Sequence, residues 1–147
     1  GEHKLGDIAV TGFSTFHDSE HGAKRGTNIV FRYHIDGLTL VHLGDLGHPL
    51  DEEAVASIGP VDVLFAPIGG KFTIDSKVAA DIAAKLEANV LIPMHYKTPA
   101  LHFDVDGLEP LLAANRCRSV HQLNANTCSL TRENVGADRL LILDYKR

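Results

Sequence analysis

Two histidines and an aspartate stand just beyond apolar runs in this sequence, and together they have the chemistry of a metal site. They are His17, Asp45 and His95. A carboxylate that follows a buried-type run, as Asp45 does, costs free energy unless a partner takes it up. Two imidazoles and one carboxylate that leave a position open for water form a catalytic zinc arrangement, and such an ion lowers the pKa of its bound water towards about 7. The same trio also suits mononuclear iron in oxygenases.

The runs before these residues are predicted to be strands of one sheet. Residues 28–35 alternate apolar and polar side chains, and Asp36-Gly37 predicts a tight hairpin into the next run. The runs at 61–66 and 90–94 are almost wholly apolar, which is typical of strands covered on both faces. The predicted strands cover residues 8–16, 28–35, 38–43, 61–66, 90–94, 120–123 and 140–143.

Short helices are predicted between the later strands. Asp51 opens the first with an acidic turn that suits the helix dipole, and Gly59-Pro60 ends it. Asp75 can cap the second, and residues 108–114 are expected to form a third. This alternation predicts a layered α/β fold. Sites in open α/β sheets gather outside the carboxyl ends of strands, so we expect the three polar residues to converge in space.

Bulk composition excludes several classes of protein. The length of 147 residues fits one domain, and a net charge of -5 gives no electrostatic footprint for nucleic acid. No apolar stretch approaches the roughly 20 residues that a membrane span needs. Cys117 and Cys128 could form a disulfide, but they match no metal or redox motif, and we interpret them as free thiols in a reducing cytoplasm.

Five motifs together resemble those of the metallo-β-lactamase superfamily: FHDSEHG, RGTNIVF, HLGDLGH, APIGGKFTID and LIPMHYKTP. The resemblance runs from about residue 8 to residue 99, and it is closest to small metal-dependent hydrolases related to the ascorbate-phosphate lactonases. In that family the histidine of FHD, the aspartate of HLGD and the histidine of PMHY bind metal. This implies that His17, Asp45 and His95 are ligands, with Asp45 bridging two ions and each histidine holding one. The implied cofactor is a divalent metal, zinc in the first place, with manganese and iron as alternatives.

One family signature does not occur in the chain. His-x-His-x-Asp-His belongs to the first half of the family's duplicated αββα sandwich, and no such motif is present here. The resemblance therefore implies that residues 1–147 form one domain that corresponds to the second, C-terminal half of the fold: an α/β unit with a mixed sheet and helices on one face. It also implies that most ligands of the first metal lie elsewhere, so we expect weak or no hydrolysis from the isolated chain.

Three further residues are candidates for an outer shell around the metal. Asp18 could orient His17, or it could simply begin the following loop. His42 could approach Asp45, or it could be a packed or surface histidine. His48 is a candidate for the same outer shell or for a substitute ligand.

Substrate-binding candidates follow the predicted strands at 61–66 and 90–94. Gly69 and Gly70 could offer backbone N–H groups to an anion, or they could form a tight turn into the next helix. Lys97 could meet a negative substrate, or it could be solvated as most exposed lysines are. No residue is assigned to proton transfer.

These observations favour a metal-dependent hydrolase that uses metal-bound hydroxide on an ester, lactone, amide or phosphodiester. The alternative is a catalytically incomplete binding or assembly module that pairs with another chain. A third hypothesis is a mononuclear iron protein. The expected partners are a small-molecule substrate and either the missing first half or a second copy of the chain, without nucleic acid or membrane.

Overall fold

The computed structural model describes residues 1–115 and 118–145, and within them one sheet carries eight strands. The strands are β1 (Glu2–Leu5), β2 (Ile8–Phe16), β3 (Thr27–Ile35), β4 (Leu38–His42), β5 (Val63–Pro67), β6 (Val90–Met94), β7 (Ser119–Gln122) and β8 (Arg139–Ile142). The helices are α1 (Glu52–Ile58), α2 (Ser76–Lys85) and α3 (Glu109–Ala114). The sheet order is β1-β2-β3-β4-β5-β6-β8-β7. Every predicted strand and helix is present with ends within about two residues of those expected.

The directions of the strands bring the three candidate ligands to one edge of the sheet. Both β2 and β4 run antiparallel to β3, while β4, β5 and β6 are parallel neighbours. The carboxyl ends of these four co-directional strands, β2, β4, β5 and β6, therefore lie at the same edge. His17 follows β2, Asp45 follows β4 and His95 follows β6. The expectation that all three lie at one edge is confirmed.

The two apolar parallel strands are buried on both faces, as predicted. Leu64 and Leu91 belong to the larger core cluster, which also holds the buried side chains of the three helices. Val63 and Val90, one residue earlier in each strand, belong to a second cluster on the opposite side, here called the helix-free face. Val135, from the segment before β8, covers part of that face. The sheet is thus mixed, with helices on one face only.

The helix-free face is exposed where β3 crosses it. Ile29 is 46% exposed and Phe31 is 36% exposed, whereas Val30 between them is buried against the helix side. The alternation predicted for residues 28–35 is present, but its more apolar side is the exposed one. Phe31 and Tyr33 lie 6.1 Å apart between ring centroids, so this strip is continuous and apolar. Such strips on soluble proteins usually mark a contact surface.

Local signals predicted the turns and caps correctly. Asp36 and Gly37 have φ of 50° and 76°, which is the left-handed geometry that a two-residue hairpin needs. Asp51 and Asp75 each accept the N–H group three residues ahead, at 2.7 Å and 2.9 Å. Strand β1 was not predicted, because its four residues are exposed and carry no alternation of burial.

The remaining expectations concern cysteines and membranes. Cys128 is exposed and free, and Cys117 lies outside the described residues. None of the described helices is long and apolar enough to cross a membrane.

Candidate metal site

His17 is held at the end of β2 by close backbone packing. The N–H group of Gly47 donates to the carbonyl of Phe16 at 3.0 Å. A Cβ atom at Gly47 would collide with the backbone of His17 and Asp18, so glycine is required there by space. The Nε2 atom of His17 is buried and has no hydrogen-bond partner among the described residues. A buried nitrogen without a partner is uncommon and calls for an explanation.

The turn that carries Asp45 is fixed by the side chain of Asn28. Its Nδ2 donates to the Leu43 carbonyl and to Thr15 Oγ1, both at 2.9 Å. Its Oδ1 accepts the N–H group of Asp45 at 3.0 Å. Asn28 therefore ties β2, β3 and the end of β4 together through one amide. The backbone of Asp45 is held, while its carboxylate accepts no described hydrogen bond and is exposed.

His42 completes the same turn. Its Nδ1 accepts the N–H group of Gly44 at 3.0 Å, and its ring stacks on Phe65 with 5.8 Å between centroids. Burial lowers the pKa of His42, while the negative charge of Asp45 opposes that shift. A neutral imidazole keeps the lone pair on Nδ1 that accepts the N–H group of Gly44. His42 is thus a packed histidine that also holds the backbone just before Asp45, and its role in an outer shell around a metal stays a prediction.

His95 follows β6 in a strained backbone conformation. Its φ is 53°, in the left-handed region that side chains disfavour by about 1–3 kcal/mol. Gly69 lies against it, because a Cβ atom at Gly69 would come within 2.5 Å of the His95 carbonyl oxygen and 3.4 Å of Nδ1. Strain of this kind concentrates at functional sites.

His17 and His95 line one cavity of about 450 Å³. The other lining residues are Phe72, Leu101, Phe103 and Val105. A larger cavity of about 970 Å³ lies beside α2 and α3, and none of the three candidate ligands lines it.

Asp45 does not share the cavity of the two histidines. It is absent from the lining, and no group of three or more His, Cys, Asp or Glu side chains within residues 1–115 and 118–145 is arranged to hold a metal. The expected convergence of three side chains on one point is therefore seen for His17 and His95 only. An exposed carboxylate keeps its hydration, which it would lose beside an apolar cavity. The assignment of the three residues as ligands stays a prediction.

Asp18 does not use its carboxylate to orient His17. Its two oxygens accept backbone N–H groups from the loop that follows, at distances of 2.7–3.1 Å; the donors are Glu20, Gly22, Lys24 and Arg25. Burial alone would raise the pKa of Asp18, but these four hydrogen bonds favour the charged form more strongly and lower the pKa to about 2. Asp18 thus begins and organises the loop, which was the second of its two predicted roles.

Both ring nitrogens of His48 are occupied. Nε2 accepts the N–H group of Phe16 at 3.2 Å, so the proton resides on Nδ1, which donates to the Pro49 carbonyl at 2.8 Å. His48 therefore supports the strand end just before His17 and does not act as a substitute ligand in this conformation.

The predicted substrate-binding groups make internal contacts. Lys97 Nζ donates to the Phe103 carbonyl at 2.5 Å, and the Gly70 N–H group donates to the Ile74 carbonyl at 3.2 Å. Gly69 accepts the N–H group of Asp106 at 3.0 Å. Gly69 and Gly70 thus lie in the turn that leads from β5 towards α2, the second of their two predicted roles, and this turn contacts the segment after β6.

The sequence indicated that Asn28 helps to hold a loop but not which groups it holds, and it missed the apolar residues that surround the histidines. Leu101, Phe103 and Val105 alternate with His102 and Asp104, and this period of two could have indicated an apolar side of the loop. For Asn28 no local pattern existed, because its three partners are distant in sequence.

Comparisons with known sequences give a consistent result. The profile of a beta-lactamase superfamily domain matches residues 1–95. A UPF0173 metal-dependent hydrolase from Carboxydothermus hydrogenoformans is 36% identical over 110 residues, which is 71% of this chain and 49% of the relative. Another from Pyrococcus furiosus is 32% identical over 115 residues, or 76% of this chain and 51% of the relative. The chain thus spans about half the length of these relatives.

Solved structures share the fold. A proposed Zn-dependent hydrolase of the metallo-β-lactamase superfamily from Thermotoga maritima superimposes with a TM-score of 0.83 and 34% identity, over 97% of this chain and 69% of that one. A metallo-β-lactamase fold protein from Bacillus subtilis gives a TM-score of 0.61 at 16% identity, over 97% of this chain and 49% of its own, and this likeness concerns the fold alone.

Proposed function

Because this chain belongs to the metallo-β-lactamase superfamily, we propose that it supplies metal ligands to a metal-dependent hydrolase. Relatives of the chain are named metal-dependent hydrolases, which supports the general activity. The observation that carries the proposal is the pair of histidines around one cavity, with His17 Nε2 buried and unpartnered.

The donor set fits a divalent cation. Leaving a polar atom buried and unpaired costs about 1–3 kcal/mol, and a cation that accepts the lone pair of His17 Nε2 removes this cost. Imidazole and carboxylate suit zinc first, and manganese or iron are alternatives. His17 and His95 are the nitrogen ligands in this proposal, and Asp45 supplies the carboxylate. The exposed Asp45 side chain is free to turn towards a positive charge because no described hydrogen bond restrains it.

A bound divalent ion would supply an acidified water and polarise the scissile group. The chain's own residues hold the ligands in place around that chemistry. Asn28 and His42 fix the backbone of Gly44 and Asp45. His48 fixes the strand end before His17. The substrates considered are esters, lactones, amides and phosphodiesters.

We place the chain as the second half of the family's sandwich. The match to about half of each relative and the exposed strip on the helix-free face both support this placement. The complete site would then hold two ions and would take further ligands from the first half.

One observation favours a second candidate function, a binding or assembly module without turnover. No three-ligand group is formed within residues 1–115 and 118–145. A module of this kind would keep the scaffold and pair with another chain, and it would not require a tightly bound ion.

Zinc affinity tests the proposal directly. The purified chain would be titrated with Zn²⁺ in competition with a chromophoric chelator, and His17→Ala and His95→Ala should each weaken binding by at least about tenfold. His34→Ala is the control, because His34 is exposed on β3 and far along the strand from this edge. Equal affinity in all four proteins, or no stoichiometric binding by any, would favour the assembly module.

A further inference from the structure

The cavity beside the two histidines is apolar apart from their rings. Its other walls are Phe72, Leu101, Phe103 and Val105. A volume of about 450 Å³ falls within the range of small-molecule sites, which is roughly 300–1,000 Å³. The cavity therefore has the size of a ligand site, and its described walls are apolar except for the two imidazoles.

Two aromatic rings shape the mouth of this cavity. Phe72 and Phe103 meet edge to face with 6.2 Å between centroids, and the guanidinium of Arg25 lies 5.4 Å from the Phe72 centroid. Phe103 is 65% exposed and belongs to neither core cluster. An exposed aromatic side chain at the entrance of an apolar cavity gains free energy when a ligand covers it.

Two of the positive charges near this cavity, Lys71 and Lys97, contact the loop that carries Phe103. Lys71 Nζ forms an ion pair with Asp104 at 3.0 Å, and Lys97 Nζ donates to the Phe103 carbonyl. Lys71 also lowers the pKa of Asp104, mainly through this hydrogen bond and then through its charge. Both lysines thus hold the segment of residues 101–105 in place. A phosphate beside the histidines would have to compete with these contacts to pair with either lysine.

The free energy of desolvation favours an uncharged apolar group in this cavity over a charged one. Beyond the two proposed metal ligands, the described walls of this cavity offer no charged partner to an anionic group, which would lose hydration against them. An acyl chain or an aromatic ring loses only unfavourable hydration and gains contact with the four apolar walls. Among the described lining residues only the imidazoles of His17 and His95 are polar, and in the proposed function they would hold the ion that polarises the scissile group.

We infer that the substrate of the proposed hydrolase places an apolar, uncharged acyl or aromatic group in this cavity. The inference rests on the proposed hydrolytic function and narrows its substrate class. Phe103 is the residue expected to determine specificity, since it is the most exposed wall and makes no core contact.

Ligand titrations of the metal-free chain, followed by amide chemical shifts, test the inference without turnover. The probes are 4-phenylbutanamide, acetamide and inorganic phosphate. We expect 4-phenylbutanamide to bind and to shift the amides of Phe72, Leu101, Phe103 and Val105, while acetamide and phosphate do not. Phe103→Ala should weaken this binding about tenfold, and Phe103→Leu should retain most of it.

Phe31→Ala is the matched control, because Phe31 is an equally aromatic, partly exposed residue on the helix-free face and does not line the cavity. Its affinity for the amide should equal that of the parent chain. Preferential binding of phosphate, no binding of the aryl amide, or equal affinity in Phe103→Ala would each overturn the inference.

The two proposals fail in different ways. If the aryl amide binds at the cavity but zinc affinity is unchanged in His17→Ala and His95→Ala, the proposed hydrolase function is wrong and the inference of an apolar ligand is retained. If zinc binding depends on the histidines but the amide does not bind, the metal site stands and the apolar substrate group is wrong.

Discussion

Single side chains hold the candidate ligands of this protein in place from a distance. Asn28 uses its whole amide on the turn before Asp45, and Asp18 uses its whole carboxylate on the loop after His17. Neither residue belongs to the cavity of the two histidines. Their effect on a metal site would therefore be exerted through backbone geometry, as is usual for groups that orient ligands.

We expect Asn28→Ala to lower both stability and metal affinity. The variant loses hydrogen bonds to Thr15, Leu43 and Asp45, and the free energy of unfolding should fall by about 2–3 kcal/mol. Zinc affinity should fall about tenfold because the Asp45 backbone is released. Urea unfolding and chelator competition measure the two effects.

The control for this prediction is Asn134→Ala. Asn134 also bridges a turn, donating to Ser129 and accepting from Thr131, but it lies far from the candidate site. An unchanged zinc affinity in Asn28→Ala would show that the Asp45 turn does not need the amide.

The free energy of unfolding of Asp18→Asn should fall less at acidic pH than that of the parent chain. The folded pKa of Asp18 is about 2 against an ordinary value of 3.8, so the unfolded chain takes up this proton first. The contribution of the carboxylate is complete above about pH 4 and is lost as the pH falls towards about 2. In urea unfolding of the metal-free chain, the parent should have a larger free energy of unfolding than Asp18→Asn at neutral pH. The difference between the two proteins should become smaller as the pH falls from about 4 towards about 2.

Asp81→Asn serves as the comparison, since Asp81 is an exposed aspartate on α2 without a described hydrogen bond from its carboxylate. Parallel pH profiles for the parent and Asp18→Asn would mean that the four loop N–H groups do not stabilise the charge.

At the scale of elements, the site depends on close approach between strand ends and turns. Gly47 lies against the end of β2, and Gly69 lies against the residue that follows β6. Both glycines let two backbones approach more closely than any side chain would permit. The strands place the histidines at one edge, and these turns set the distance between them.

Gly47→Ala should disturb the end of β2. The new Cβ atom would meet the backbone of His17 and Asp18, which cannot move aside as a flexible side chain can. Overpacking of this kind costs about 1–3 kcal/mol, and zinc affinity should fall as well because His17 is displaced. Thermal unfolding and chelator competition provide the measurements.

Gly107→Ala is the matched substitution for this test. The added methyl group there would meet only the end of the Glu109 side chain, so stability should change little. Similar losses in both variants would argue that the added methyl group, and not its position, is responsible.

The whole molecule exposes one continuous apolar strip. Ile29, Phe31 and Tyr33 lie on the helix-free face, while the other end of that face is covered by the segment containing Val135. A bare apolar strand in the middle of a sheet is expected to be covered by another sheet, either in the first half of the fold or in a second copy of this chain.

We expect the 147-residue chain to self-associate through this face. The double variant Ile29→Lys/Phe31→Glu should shift it to monomer, because desolvating two charges opposes the contact. Light scattering across a dilution series measures the mass. Leu112→Glu, on the exposed side of α3, is the control and should leave the association unchanged. A monomeric parent chain that also hydrolyses esters with added metal would contradict both the association and the incompleteness of the site.

The sequence alone determined the elements of this protein and the edge at which its candidate ligands lie. Alternation, apolar runs, capping aspartates and the Asp36-Gly37 turn are local signals, and the structure follows them closely. β1 was missed because an exposed edge strand need not carry any burial pattern. The direction of each strand then brings His17, Asp45 and His95 to one edge.

Only the tertiary structure decided which of these residues meet and what surrounds them. The pairing of His17 with His95, the exclusion of Asp45 from their cavity and the apolar wall around Phe103 all depend on contacts between distant segments. The same holds for the hydrogen bonds of Asn28, because no local sequence pattern indicates its partners in β2 and after β4. Hydrogen bonds and packing of this kind are fixed by distances between atoms, and local patterns of residue type do not encode those distances.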